Sequence, residues 1–209
     1  MRRRKLELLV VMAIVAFAVS QVRSPRGAVT PSADFTPGLT ASPAGAPEAG
    51  QAGPANAQWR ALYDEAQAFL AQGDNPKAEA RLVAALRLAP LAGPEALHET
   101  LDDLGLVCFR LGEYQRCQDY QQRAIAAASE LAEPGRAATL GLYETRLATV
   151  LGAMEKREDA LSALARAQGH YLEAYPAGSP AYSEAMNSLA AQHRSLGDNE
   201  GAARIVEDL

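Results

Sequence analysis

The chain is short of lysine, of aromatic residues and of strand-forming runs. Only 3 of its 20 basic residues are Lys; the other 17 are Arg. Aromatics make up 6% of the chain and there is a single Trp. β-Branched runs are nearly absent beyond the N-terminus, which argues against an all-β protein. The two cysteines form no C-x-x-C pair for a metal. There is no Gly-rich phosphate loop, no H-E-x-x-H and no G-x-S-x-G. His98, His170 and His193 share no ligand spacing. No nucleophile–base pairing emerges, so no catalytic residue, metal or cofactor is expected, and the chain is not read as an enzyme. Acidic pairs such as Asp102-Asp103 read as a solvated helix face.

What is abundant is Ala, with 44 of 209 residues, a composition that favours helices. Charge is unevenly placed. Residues 1–26 carry six basic groups against Glu7, a balance of +5. Residues 58–209 carry 14 basic and 22 acidic groups, a balance of −8. A body this acidic offers no footprint for phosphate backbones, so nucleic acid is excluded as a partner class.

Residues 1–22 read as a signal peptide or signal anchor. Arg2-Arg3-Arg4-Lys5 is a positive head, Leu8 to Val19 is an apolar run, and Ala16-Phe17-Ala18 offers a cleavage pattern. Left uncleaved, Leu6 to Val22 would form about 26 Å of helix, the short limit for spanning a bilayer. Both readings export the body, to the bacterial periplasm or the extracellular space. It is then soluble after cleavage or tethered to the inner membrane. Residues 23–57 follow as an Ala/Pro/Gly-rich disordered linker. Of its 35 residues, 26 are Ala, Pro, Gly, Ser or Thr, and no apolar period is visible.

The body, 58–209, repeats. The turn residues Gly73, Gly112, Glu155 and Gly197 lie 39, 43 and 42 residues apart. Seven residues before them stand Ala66, Gly105, Ala148 and Ala190. Five after stand Ala78, Cys117, Ala160 and Ala202, and twelve after stand Ala85, Ala124, Ala167 and Leu209. Eleven of these twelve are Ala, Gly or Cys, types that fill 62 of 209 positions, so chance would place about four there. Small residues on both helices of a hairpin let the pair approach closely. Pro90, Pro134 and Pro180 punctuate the connections between units.

The first unit, Leu62…Ala66…Phe69…Gly73-Asp74…Ala78…Leu82…Ala85-Leu86…Pro90, resembles the tetratricopeptide repeat (TPR) family. The longer later units, with Gly178-Ser179-Pro180…Asn187-Ser188-Leu189-Ala190…Gly197-Asp198, are similar to its kinesin-light-chain-like subclass. Glu155 stands where the family prefers Gly, and Gln121 where it prefers a bulky apolar residue. The resemblance implies an all-α, right-handed α-solenoid of about four helix hairpins with a concave groove that takes a protein or peptide partner. Carried over unit by unit, it assigns Tyr63, Gln67, Leu70, Asp102, Leu106, Phe109, Arg110, Thr145, Thr149, Asn187, Ala191 and Arg194 to that groove. For Phe109 the competing reading is a core residue between units; for Asn187, a solvated surface amide.

Two further expectations come from the spacing. Cys108 and Cys117 lie nearly equidistant from Gly112, so they face each other across a hairpin. In an oxidising compartment this predicts a disulfide; two buried free thiols are the alternative. At the C-terminus, Ala202, Ile205, Val206 and Leu209 would form an open apolar stripe that docks a partner or a second copy of the chain. The functional expectation is a non-catalytic scaffold or adaptor of the cell envelope. A membrane-anchored spacer or assembly factor, or more remotely an enzyme's accessory domain, are the alternatives.

Overall fold

The computed structural model describes residues 53–207 and 209. The expected signal or anchor and nearly all of the expected linker lie outside the described residues. Among the described residues there are eight α-helices and no strand: α1 (Pro54–Gln72), α2 (Asn75–Ala92), α3 (Pro94–Leu111), α4 (Tyr114–Ser129), α5 (Arg136–Ala153), α6 (Arg157–Ala174), α7 (Pro180–Ser195) and α8 (Asn199–Glu207). They pair in order as four hairpins, and each hairpin packs on the next.

All four hairpins turn in the same way, at the four residues that mark the repeat. Gly73 (φ 76°), Gly112 (φ 78°), Glu155 (φ 62°) and Gly197 (φ 76°) have left-handed backbone. The next amide in each case donates to a carbonyl five residues back. Asp74 reaches Phe69 (3.0 Å), Glu113 reaches Cys108 (2.9 Å), Lys156 reaches Leu151 (2.9 Å) and Asp198 reaches His193 (2.9 Å). This closure satisfies helix-end carbonyls and is normally carried by Gly, which has no Cβ to strain. The third hairpin makes it with Glu.

Local chemistry sets the helix starts. Asp74 accepts from the Lys77 amide (3.3 Å), Ser179 from the Tyr182 amide (3.1 Å) and Asp198 from the Gly201 amide (3.0 Å). These are N-cap bonds, each satisfying an otherwise orphaned donor. Pro54, Pro94 and Pro180 occupy first-turn positions, where the missing N–H costs nothing. Two boundary expectations shift. The first helix opens at Pro54, inside the expected linker. Pro90 does not separate units but lies inside α2, two residues before its last residue, Ala92.

The register explains the packing. Of the twelve small-residue positions, eleven are buried and only Leu209 is exposed. Gly105 shows why size matters there: a Cβ would stand 2.5 Å from Gln121 Nε2. Large residues fill the gaps. Leu82, Leu104, Leu164 and Leu189 are fully buried, as is Trp59, which clusters with Ala85, Ala89 and Ala96.

Candidate partner-binding site

The first helices of successive units, α1, α3, α5 and α7, are joined by side-chain hydrogen bonds. From α1 to α3, Trp59 Nε1–H donates to Thr100 Oγ1 (2.9 Å), and Tyr63 OH donates to Asp103 Oδ2 (2.8 Å). Gln67 donates to the same carboxylate oxygen. From α3 to α5, His98 Nδ1 pairs with Tyr143 OH (2.7 Å), and Arg146 forms an ion pair with Asp102. From α5 to α7, Thr149 Oγ1 donates to Gln192 Oε1 (3.3 Å). Within the third unit, Arg166 of α6 grips buried Glu144 with two bonds of 2.8 Å.

Gln121 belongs to this system. Its Nε2 donates to Asp102 Oδ1 (3.1 Å) from the second helix of the same hairpin. A polar residue therefore fills a bulky apolar position because the neighbouring carboxylate needs a donor there.

The burial leaves its mark on the titrations. Burial disfavours the Arg146 charge, but the Asp102 carboxylate more than offsets this and holds the guanidinium above its usual value. Burial, then the Asp103 charge, pushes the Tyr63 phenol up. Burial lowers His98, so this imidazole is neutral near pH 7. These groups join neighbouring units through structural bonds, and Gln121 Oε1 stays buried with no hydrogen-bond partner among the described residues.

The assigned groove residues thus separate into two sets. Tyr63, Gln67, Asp102, Thr145 and Thr149 are engaged by the protein itself; Thr145 Oγ1 bonds the Gly141 carbonyl (2.8 Å). Asp102 and Asp103, expected on a solvated face, are both buried. Phe109 is half-buried against Tyr114, with ring centres 5.4 Å apart, and packs with Cys108, Cys117 and Val150 of the next unit. This is the core reading of Phe109. Arg110, Asn187 and Arg194 are exposed.

The open C-terminal stripe is corrected in part. Ala202 and Ile205 are buried in the core formed by α5, α6 and α7, because α8 turns that side inward. Val206 and Leu209 are exposed. The cysteines also depart from the predicted disulfide. Both thiols are free and buried, filling the hairpin as small apolar residues. Burial pushes Cys108 up to about 11 and Cys117 up to about 12.

Among the described residues, Glu79, Cys108 and Glu113 bring ligand-type atoms within 4.8 Å of one another. The Arg116 guanidinium already bonds both carboxylates, at 2.5 Å to Glu79 Oε1. A cationic side chain holds the place a metal ion would take.

Solved structures with the same arrangement decide the fold. At 20% identity the chain is similar to BtubC (BKLC) from P. vanneervenii, covering 74% of this chain and 61% of that one, with a TM-score of 0.58. At 17% identity it is similar to a putative kinesin light chain from Podosopora anserina with nearly identical TPR-like repeats, covering 72% of each chain, with a TM-score of 0.58. A tetratricopeptide repeat protein from Parabacteroides merdae matches at 20% identity over 73% of this chain and 52% of that one, with a TM-score of 0.54.

The fold is TPR-like.

No family model and no curated protein matches the sequence. The chain spans about three fifths of the length of BtubC. No helix among the described residues is long and apolar enough to cross a membrane.

The TPR-like register also shows what sequence reasoning overlooked. Trp59, Tyr143, Arg146 and Gln192 are assigned no role in the sequence reading, and Asp103 reads there as a solvated face, yet each joins two units. Their partners lie 40 to 45 residues away, one repeat along the chain. Complementary polar side chains one repeat apart are the signal that finds them.

Proposed function

We propose that the chain is a non-catalytic scaffold or adaptor of the cell envelope that binds a partner protein or peptide through its TPR-like domain. The observation that carries this reading is the division of the groove residues. Tyr63, Gln67, Asp102, Thr145 and Thr149 are bonded within the protein, while Arg110 at the end of α3 and Asn187 and Arg194 on α7 present exposed side chains. Exposed Arg is a frequent anchor at protein interfaces. Export rests on the basic head and apolar run of residues 1–22. The domain then works in the periplasm or outside the cell, free or tethered to the inner membrane.

The linker composition of residues 23–57 favours a second reading. An anchored spacer or assembly factor would use that segment to hold the repeats at a distance, with a flexible reach of about 35 Å.

Cell fractionation of the full chain in its host, with intact mass of the purified protein, tests the location. A membrane or periplasmic chain that crosslinks to one discrete protein supports the scaffold reading. A cytoplasmic, uncrosslinked chain with Met1 retained contradicts it.

A further inference from the structure

The second hairpin departs from the repeat at three register positions that meet in space. One residue after the turn marks stand Asp74, Glu113, Lys156 and Asp198. Asp74 and Asp198 cap the helix that follows, accepting from the Lys77 and Gly201 amides. Glu113 opens α4 in the same place, but its side chain makes no cap bond. Its carboxylate lies instead beside Glu79, on α2 of the preceding unit.

Six residues after the first three marks stand Glu79, Gln118 and Leu161. Between the second and third units this position meets the residue after the next mark as a complementary pair: Lys156 Nζ donates to Gln118 Oε1 (3.0 Å). Between the first and second units the same two positions hold Glu79 and Glu113, which bring carboxylate oxygens within 4.8 Å of each other. Two like charges so close repel unless a cation lies between them.

Four residues before the marks stand Phe69, Cys108, Leu151 and His193. Here, too, the second unit differs, with a thiol in place of a large side chain. Cys108 is free and 0% exposed, and no hydrogen bond engages its sulfur among the described residues. That sulfur is aimed at the two carboxylates, within 4.8 Å of an oxygen of each. A thiol and two carboxylates, from α2, α3 and the start of α4, thus converge on one point. Sulfur with oxygen is a donor set for zinc, whereas calcium and magnesium take oxygen alone. Sequence spacing hides the set, because its members come from three helices.

Arg116 bonds both carboxylates and supplies one positive charge against two negative ones. Its side chain is 45% exposed, and its guanidinium already lies 6.0 Å from the centre of the Tyr120 ring. It can withdraw without disturbing the core.

We infer that Glu79, Cys108 and Glu113 form a zinc site completed by water, and that Arg116 holds the two carboxylates together when the ion is absent. On binding, the thiol gives its proton to solvent and Arg116 swings out. The ion fastens the first unit to the second at their turn edge. The inference goes beyond the partner reading and stands or falls apart from it.

The test uses the untagged full chain, stripped with chelator, then titrated with zinc by calorimetry and with cadmium by ultraviolet absorption. The inference expects saturable zinc binding, a sulfur-to-cadmium charge-transfer band and a zinc-dependent rise in melting temperature. Glu79→Gln and Glu113→Gln are expected to weaken zinc binding at least about tenfold. Cys108→Ser loses the band, while Cys117→Ala, which restores the Ala of the other units, keeps it. Arg116→Gln binds zinc more tightly, because the competing cation is gone. Glu113 is exposed, so its variant keeps the parent's circular dichroism and reads the site even where Cys108→Ser fails to fold. Absence of saturable binding at millimolar zinc overturns the inference. So does binding without the sulfur band, binding that neither Gln variant weakens, or a band lost in Cys117→Ala.

Discussion

Arg146 on α5 forms an ion pair with Asp102 on α3, and the same carboxylate accepts from Gln121 on α4. One buried charge thus binds two successive units and the two helices of a hairpin. Removing Asp102 leaves the Arg146 guanidinium, a quarter exposed, without its main partner, at a cost of about 1–3 kcal/mol. Asp102→Leu is expected to lower unfolding free energy by that amount in urea melts. The double variant Asp102→Leu, Arg146→Leu recovers most of the loss, since apolar packing replaces both charges. A single variant as stable as the parent contradicts the assignment.

Glu155 carries the left-handed turn of the third hairpin at φ 62°. A residue with a Cβ is strained there by about 1–2 kcal/mol, partly offset by the greater entropy Gly loses on folding. Glu155→Gly is expected to stabilise the protein by roughly 0.5–1 kcal/mol, a rise of about 1–4 °C in melting temperature for a domain of this size. Gly73→Ala, at φ 76°, should shift it in the opposite direction. Calorimetry of the two variants checks both signs.

His98 is buried beside the Tyr143 hydroxyl, and burial lowers its pKa below the ordinary 6.5. The unfolded chain therefore binds a proton more readily than the folded one between the lowered value and about 6.5. The stabilisation is complete above that range and is lost as pH falls through it. Melting temperatures measured from pH 7.5 down to 5 are expected to fall more steeply for the parent than for His98→Gln. Parallel curves would show that His98 contributes nothing to acid sensitivity.

Cys108 and Cys117 are buried thiols pushed to about 11 and about 12. They are poor nucleophiles at neutral pH. Titration with a thiol reagent at pH 7.5 is expected to give slow reaction of the native chain and two free thiols in denaturant without reductant. No free thiol in denaturant would establish the bridge that the hairpin spacing suggests.

The repeat, its four turns and its close-packed positions were legible because each obeys a local rule. A left-handed turn favours Gly, and a helix crossing at close range needs Ala or Gly, so both leave a period in the sequence. The polar joints were not legible in that way. Asp102-Asp103 looks like a solvated face because its partners, Arg146 and Tyr63, lie on other units. Ile205 looked like an open end because the helix it belongs to is short, and only the structure shows which side of α8 faces α7. Trp59 passed unnoticed since its anchoring bond, to Thr100, joins residues 41 apart.

The central claim is that exposed residues on the helices lining the stack recognise a protein while the buried polar network serves the fold. Site-specific photo-crosslinking in the host organism tests this most directly, with the full chain carrying a benzophenone side chain at position 110 or, as a control, at exposed position 165 on α6. The account predicts one discrete protein adduct from position 110 and none from position 165. No adduct from position 110, or equal adducts from both, would contradict it.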